Sequence, residues 1–436
     1  MLVDVNIAVT VDTERELVVP VVRNADDLGQ LERNNIQVAS NQDSVRIYTR
    51  AKLSTWASRM VYINRKGRVI DEGVRLGRPE KMNAIVCYAP MDYRLEQVPV
   101  PEAGNDEVVV KVGACGICAS DVKCYHGAAR MWGDQTQARV VKAPVIPGHE
   151  FIGTVVEIGS EAKEKFGLEV GDKAVAEQIL PCWNCRFCNS GHYWMCQDNY
   201  VFGFQGGIDD GGFAEYMKYP KGSVVHKVPK ELSDDIGAMI EPLACAIHAV
   251  ERADPRLNDV MVIAGMGPIG LCMLQVAKLR NPRLLIALDA KEERLDIAKK
   301  LGADVAINVA KEDPVAQVMH LSDDWGCDVY LEASGNTNAV VQGLRMIRKM
   351  GRFVEFGVYG EPVVADWSMI GDAKELDVLG SHLGPYRYPL AMRYLNEGVV
   401  KVNHIVTHKF PLEKFHQALE VSSKAATGSI KVLVIP

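Results

Sequence analysis

The chain lacks a long apolar run. Nowhere in its 436 residues do about 18 uninterrupted apolar residues occur, the length a membrane-spanning helix needs. It also lacks a basic excess, since 49 Lys and Arg face 56 Asp and Glu for a net charge of −7. Nucleic-acid binding rests on clustered cations facing phosphate, so no nucleic-acid partner is expected. The first residues, MLVDVNIAVTVDTERE, carry acids where a secretory signal has a basic start. Internal repeats and low-complexity tracts are missing too. What is present is a globular composition, 48% apolar and 24% charged, long enough for two or three domains. A cytoplasmic protein is expected, which bears on its 11 cysteines. In a reducing compartment, closely spaced thiols more often hold metal than form disulfides.

Residues 1–81 read differently from the rest. Val3, Val5, Ile7, Val9 and Val11 alternate with Asp4, Asn6, Ala8 and Thr10, the period of a half-exposed strand. Residues 12–15 would turn the chain into a second strand over 17–22, which Pro20 confines to an edge or a bulge. Residues 26–33 read as a short polar helix, and 34–81 show no sustained period. Two strands cannot build a core, so this extension is expected to be an appendage.

From Met82 onward, short apolar strands at 82–88, 107–112, 151–159 and 171–175 alternate with glycine turns, the pattern of a β-barrel-like unit. From Val260 the rhythm becomes strand and helix in alternation. Strands are expected at 260–264, 284–288, 304–308, 327–332 and 352–356, with amphipathic stretches such as 292–301 between them. That order implies an α/β unit with a parallel sheet covered by helices on both faces.

Cys182-x2-Cys185-x2-Cys188-x7-Cys196 is the most specific signal in the chain. Four thiolates from one tight loop make a closed tetrahedral zinc site with no open position. Unrelated buried cysteines would not cluster four in 15 residues. A zinc-ribbon nucleic-acid module does not fit a lobe whose only arginine is Arg186.

A second donor set is spread more widely. Gly113-Ala114-Cys115-Gly116-Ile117-Cys118-Ala119-Ser120-Asp121 precedes Ile146-Pro147-Gly148-His149-Glu150 by about thirty residues. Thiolate, imidazole and carboxylate together suit a zinc that keeps one position open for an alcohol. Taken singly, each cysteine is a small buried hydrophobe and His149 a core histidine. The case depends on the combination, and spacing does not choose between Cys115 and Cys118. Glu241 adds a carboxylate, although an acid there could equally open a helix.

Gly265-Met266-Gly267-Pro268-Ile269-Gly270 is a GxGxxG between an expected strand and an expected helix. Asp289 ends the next strand 19 residues after Gly270. Gly265 would make the tight turn, Gly267 admit a pyrophosphate, and Gly270 let helix and strand pack closely. Asp289 would accept a ribose 2′-hydroxyl and repel a 2′-phosphate, which selects NAD, with Lys291 and Arg294 close by. Its plainer reading is a strand-end turn residue.

The GxCxSD stretch at 116–121, the PGHE at 147–150, the four-cysteine lobe and the GxGxxG together resemble the zinc-containing medium-chain dehydrogenase/reductase superfamily over residues 82–436. The resemblance implies a GroES-like β-barrel catalytic domain over 82–240 with a structural zinc lobe at 181–197. It implies a Rossmann doubly wound sheet over 241–384 and a return to the catalytic domain over 385–436. It implies two zinc ions per subunit, NAD held by Gly265, Gly267, Pro268, Ile269, Gly270, Asp289 and Arg294, and homodimers or homotetramers. It makes Cys118 the zinc thiolate and His149 its partner, with Glu150 and Glu241 as direct or exchanging carboxylates. Asp121 would orient the site, and Ser120 would pass the alcohol proton outward.

Within that superfamily, Glu241-Pro242-Leu243 is similar to the sorbitol, butanediol and threonine dehydrogenase branch, where ordinary alcohol dehydrogenases carry cysteine. The branch implies oxidation of a secondary alcohol beside another polar group. Small polyols are the implied substrates, such as sorbitol or the four-carbon erythritol and threitol, with butanediol or L-threonine as the alternative. Where relatives often have a histidine ending the proton relay, this chain has Lys123, which leaves water, Lys123 or His126 as the exit. Residues 1–33, through the stretches 3–9 and 17–22, resemble a fragment of the 2-oxoacid dehydrogenase acyltransferase core. The histidine motif of that enzyme is absent, so a fusion remnant is expected rather than acyl transfer. A zinc-stabilised nucleotide sensor is the remaining alternative, and intact Cys118, Ser120, His149 and Glu241 speak against it.

Overall fold

Strand Val108–Ile117 is buried along most of its length, so it needs neighbours on both edges and both faces. Glu150–Ile158 pairs with it antiparallel along its whole length, and Lys431–Ile435 pairs with its far end. The resulting seven-stranded sheet runs Val225–Val228, Lys173–Ala176, Glu150–Ile158, Val108–Ile117, Lys431–Ile435, Val406–Pro411, with Tyr216–Tyr219 also on Val108–Ile117. Register sets Gly116 opposite Glu150 and Leu433. Segments more than 280 residues apart in sequence therefore meet where Val108–Ile117 ends. These coordinates come from a computed structural model that describes residues 79–198, 200–424 and 428–436, and within 1–78 only the backbone of eight short strands.

The second sheet has six strands, all parallel, in the spatial order Val305–Asn308, Leu284–Asp289, Val260–Ala264, Cys327–Glu332, Ile347–Glu355, Asp377–Gly380. Numbered along the chain, the order is 3-2-1-4-5-6, the doubly wound arrangement whose crevice opens where the winding reverses. Here that place is the carboxyl ends of Val260–Ala264 and Cys327–Glu332. The expected strands at 260–264 and 327–332 match to the residue. The sixth strand was not foreseen. Its residues are mostly exposed, and it carries no apolar run to announce it.

Helix Ile240–Arg252 joins the two sheets. Ten of its 13 residues are buried, so it is an interior helix rather than an amphipathic surface one. Its Ile240, Leu243 and Ile247 share one apolar core with Ala114 and Ile152 of the barrel and with Met261 and Ile263 of the parallel sheet.

In the extension, Ile7–Ala8 pairs with Val21–Val22 and Val11–Thr13 with Glu16–Val18. Residues 34–81, read as without a period, contain the strands Ile36–Asn41, Ser44–Thr49, Ser58–Ile63 and Val69–Arg75, an antiparallel meander. Each repeats its alternation over only six or seven residues, too briefly to stand out among the intervening charges. The polar helix expected at 26–33 lies outside the described residues.

Candidate active site

Cys182, Cys185, Cys188 and Cys196 place their sulfurs within 4.8 Å of one another. The short helix Arg186–Asn189 and the 3-10 turn Tyr193–Met195 fold this loop, and the Cys182 backbone N–H donates to Cys196 Sγ at 3.3 Å. Backbone N–H groups of Cys188 and Gln197 lower the Cys185 thiol to about 6. A site that holds a thiolate before any cation arrives has the chemistry of a four-sulfur zinc site.

The second group is Cys118, His149 and Glu150, whose ligand atoms also lie within 4.8 Å of one another. Local structure explains each position. Cys118 is the N-cap of helix Ala119–Tyr125, and Asp121 at its third position accepts the Cys118 backbone N–H at Oδ2, 2.8 Å. That capping bond turns Oδ1 of Asp121 towards His149 Nδ1, 3.6 Å away. Both atoms are buried and without a hydrogen-bond partner among the described residues. His149 follows Gly148, whose φ of +100° only glycine adopts comfortably; a Cβ there would meet Cys115 Sγ at 2.8 Å. Cys115 is thus part of the wall behind the turn, its thiol pushed well up by burial, and it is outside the ligand group.

Burial alone would lower the His149 imidazolium. Asp121, Cys118 and Glu241 outweigh it and raise the ring well above its ordinary value. Burial likewise raises Asp121, and it raises Glu241 to about 7 with help from Glu150. Anionic donors crowded into a buried site are unfavourable until a cation joins them. The donor set therefore fits zinc. Ser120 Oγ lies 3.4 Å from His149 Nε2, at the edge of the same group.

Glu241 is not brought into the group of three. It sits in the first turn of helix Ile240–Arg252, so the helix-opening reading of this acid describes its place correctly, yet it is buried. Glu150 is held from the other side: Lys431 Nζ donates to its two oxygens at 2.6 and 2.5 Å, and to the Ile117 carbonyl at 3.2 Å. Lys123 reaches across the cleft and donates to the Val358 carbonyl at 2.5 Å. His126 caps the same helix and packs edge-on against Tyr125.

In the parallel sheet, Gly265 follows Val260–Ala264 with φ +94°, and a Cβ there would strike the Ser334 backbone at 2.7 Å. Gly267 is the N-cap of helix Pro268–Lys278 with open space before it, Pro268 and Ile269 form the first turn, and Gly270 packs against the Gly265 carbonyl. The start of an eleven-residue helix, capped by a glycine with nothing close to it, suits a pyrophosphate. Asp289 accepts the Met266 N–H at 2.7 Å and the Lys291 N–H at 2.9 Å, with Arg294 Nη1 3.8 Å away. Beside it, Lys291, Arg294, Asn308 and Ser429 line a hollow of about 390 Å³.

Residues 104–230 match the family model of the alcohol dehydrogenase GroES-like domain, and 268–397 that of the zinc-binding dehydrogenase. An erythritol/L-threitol dehydrogenase of Mycolicibacterium smegmatis is 48% identical over 82% of this chain and 98% of its own length. The chain belongs to the zinc-containing medium-chain dehydrogenase/reductase superfamily. It is a zinc-binding, nicotinamide-linked enzyme of CH–OH donors. Sorbitol dehydrogenase of Bacillus subtilis is 31% identical, over 82% of this chain and 98% of its own. A zinc-binding dehydrogenase of Sinorhizobium meliloti, solved with NADP, superposes with a TM-score of 0.74 at 30% identity, over 82% of this chain and all of the other.

Three residues of this dehydrogenase's site were not found from sequence: Lys431, Gln178 and Tyr388. All three are buried, but Lys431 follows Ser429 and Ile430, Gln178 follows Glu177, and Tyr388 lies between Arg387 and Pro389, so no local pattern marks any of them.

Proposed function

We propose that this dehydrogenase oxidises a secondary hydroxyl of a small polyol to the ketone with NAD as acceptor, and that a four-carbon polyol such as erythritol or threitol is the substrate. The observation that carries the reading is the convergence of half-buried Cys118 with buried His149 and Glu150 within 4.8 Å, beside Ser120. The likeness to an enzyme named for erythritol and L-threitol supports the substrate class. Zinc bound by Cys118 and His149 supplies a Lewis acid that lowers the pKa of a bound hydroxyl, and NAD supplies the hydride acceptor. The chain does the rest. Ser120 takes the alcohol proton. Asp121, with Oδ1 3.6 Å from His149 Nδ1, orients the imidazole by charge, with Nε2 towards Ser120. Lys431 pairs with Glu150, which would be available to a metal only with that ion pair opened. Lys123 is tied to the Val358 carbonyl, and the proton's exit is left to water, Lys123 or His126. A panel of erythritol, the threitols, sorbitol, butanediol and threonine, each with NAD and NADP, tests this by NADH absorbance. Turnover with threonine alone would overturn the polyol reading.

NAD is favoured over NADP on the reading that Asp289, at the end of the second strand, would accept a ribose 2′-hydroxyl and repel a 2′-phosphate. Hydrogen bonds to a charged group contribute about 1.5–3 kcal/mol, so Asp289→Ala is expected to cut the preference for NAD by roughly 10–100-fold. Unchanged kcat/KM ratios for the two cofactors would remove Asp289 from this role.

The protein works as a homodimer or homotetramer in the cytoplasm on this reading. Strand Asp377–Gly380 pairs on one side only among the described residues, and the apolar Val364, Trp367 and Val378 beside it are 87%, 75% and 45% exposed. A free edge next to exposed apolar side chains is unfavourable in isolation. Sedimentation of the intact chain is expected to give a dimer or larger; a monomer at micromolar concentration contradicts it. All eleven cysteines are free, as a reducing compartment would keep them.

A further inference from the structure

Gln178 is 1% exposed, and so buried a primary amide must place both its donors and its acceptor. Its carbonyl oxygen Oε1 accepts from the Tyr388 hydroxyl at 2.7 Å. Its nitrogen Nε2 donates to Glu241 Oε1 and approaches Cys245 Sγ at 3.5 Å. Cys245, one helical turn after Glu241, donates to the same oxygen at 3.2 Å. Tyr388 is fully buried at the start of helix Tyr388–Asn396.

An amide can sit either way round, and its two neighbours together decide which. The Gln178 N–H donates to the Tyr388 hydroxyl oxygen at 3.2 Å, which leaves the hydroxyl's own proton for Gln178 Oε1. On the other side the Glu241 carboxylate is an acceptor, so Nε2 is the end that faces it. Both donors on Glu241 fall on Oε1, so among the described residues the protein leaves Oε2 uncommitted.

We propose that Gln178 and Tyr388 are positioning residues: together they hold Glu241 as a hydrogen-bond acceptor with its second oxygen turned to the catalytic cavity, towards the metal bound by Cys118 and His149 or the alcohol on it. The inference rests on the zinc reading of that group. It gives the glutamate that marks the polyol branch a fixed orientation, whereas a side chain with three rotatable bonds would otherwise sample several. It also joins the site to the C-terminal part of the chain, since Tyr388 lies 210 residues from Gln178.

The test uses the full chain with cobalt in place of the catalytic zinc, because cobalt's visible bands report the geometry of its ligands independently of turnover. Gln178→Leu removes the donor to Glu241. Tyr388→Phe removes one oxygen and frees the amide to turn. Both are expected to shift the cobalt bands and to lower kcat/KM by about 10–100-fold, as loss of a group that orients a metal's surroundings does, with the larger effect in Gln178→Leu and with two metal ions still bound. Tyr330→Phe, which loses a buried hydroxyl bond to the Ala339 carbonyl inside the parallel sheet, serves as the control and is expected to leave the bands unmoved. Should Gln178→Leu fail to fold, Tyr388→Phe carries the test by itself. Parent-like bands and kinetics in the folded variants overturn the proposal. Shifted bands in a protein whose parent turns over no polyol would support the positioning role while overturning the substrate reading.

Discussion

Replacing Cys118 with Ser is expected to lower the metal content from two ions per chain to one and to reduce turnover by on the order of 10³-fold. The rate follows from the chemistry: Lewis-acid stabilisation of a developing alkoxide contributes several kcal/mol, and roughly 1.4 kcal/mol is a factor of ten. The fold should survive, because Cys118 is the N-cap of helix Ala119–Tyr125 and serine is a preferred residue there. Cys115→Ser gives the opposite result. Its thiol is completely buried behind Gly148, so a hydroxyl in its place costs about 1–3 kcal/mol of stability while both metals stay bound. Metal analysis and thermal unfolding of the two variants read these outcomes. Two zincs retained in Cys118→Ser would move the thiolate role elsewhere.

Cys185→Ser is expected to lose the other ion and to act on stability first. Cys185 has the thiol that the surrounding backbone N–H groups lower to about 6, so it is the most readily ionised of the four. Without the cation, the three remaining cysteines are confined together with no common partner. Metal binding there is folding free energy for the lobe, and each kcal/mol moves the thermal midpoint of a domain of this size by about 2–4 °C, so a fall of about 10 °C or more is expected. The lobe is also fastened to the body of the protein. Tyr193 donates to Glu177 at 2.6 Å, and Tyr386 donates to the Gly191 carbonyl at 2.7 Å. Unfolding should therefore remain cooperative rather than split into two steps. The initial rate in the cold should fall far less than in Cys118→Ser. A midpoint within a degree or two of the parent, with one zinc gone, would mean that the lobe does not need its ion.

These two sites differ in how far the sequence reveals them. The four lobe cysteines lie within one loop, so spacing alone places them around a common point. The parallel sheet was legible for a similar reason. Runs such as Val260–Ala264 are apolar because both faces are covered, and glycine or charge closes each end. The reactive group was legible only in part, because Cys118 and His149 come from two strand ends that pairing brings together. Glu241 was visible as an acid, and only the fold shows that it is buried and outside the group of three. Lys431 and Tyr388 could not be read at all. Their partners, Glu150 and Gln178, stand 281 and 210 residues away, and a single lysine or tyrosine carries no period. The exposed edge strand Asp377–Gly380 failed for the opposite reason, since it buries too little to impose a pattern.

The central claim is that zinc held by Cys118 and His149 makes this chain an NAD-linked polyol dehydrogenase. The direct measurement is the rate of NADH formation from erythritol and the threitols by the intact chain as isolated, after the metal at that site is withdrawn with a chelator, and after zinc is returned. The account predicts turnover, its loss in step with the metal, and its recovery with zinc. A rate that persists once analysis shows the site empty, or no turnover while both ions are bound, would contradict it.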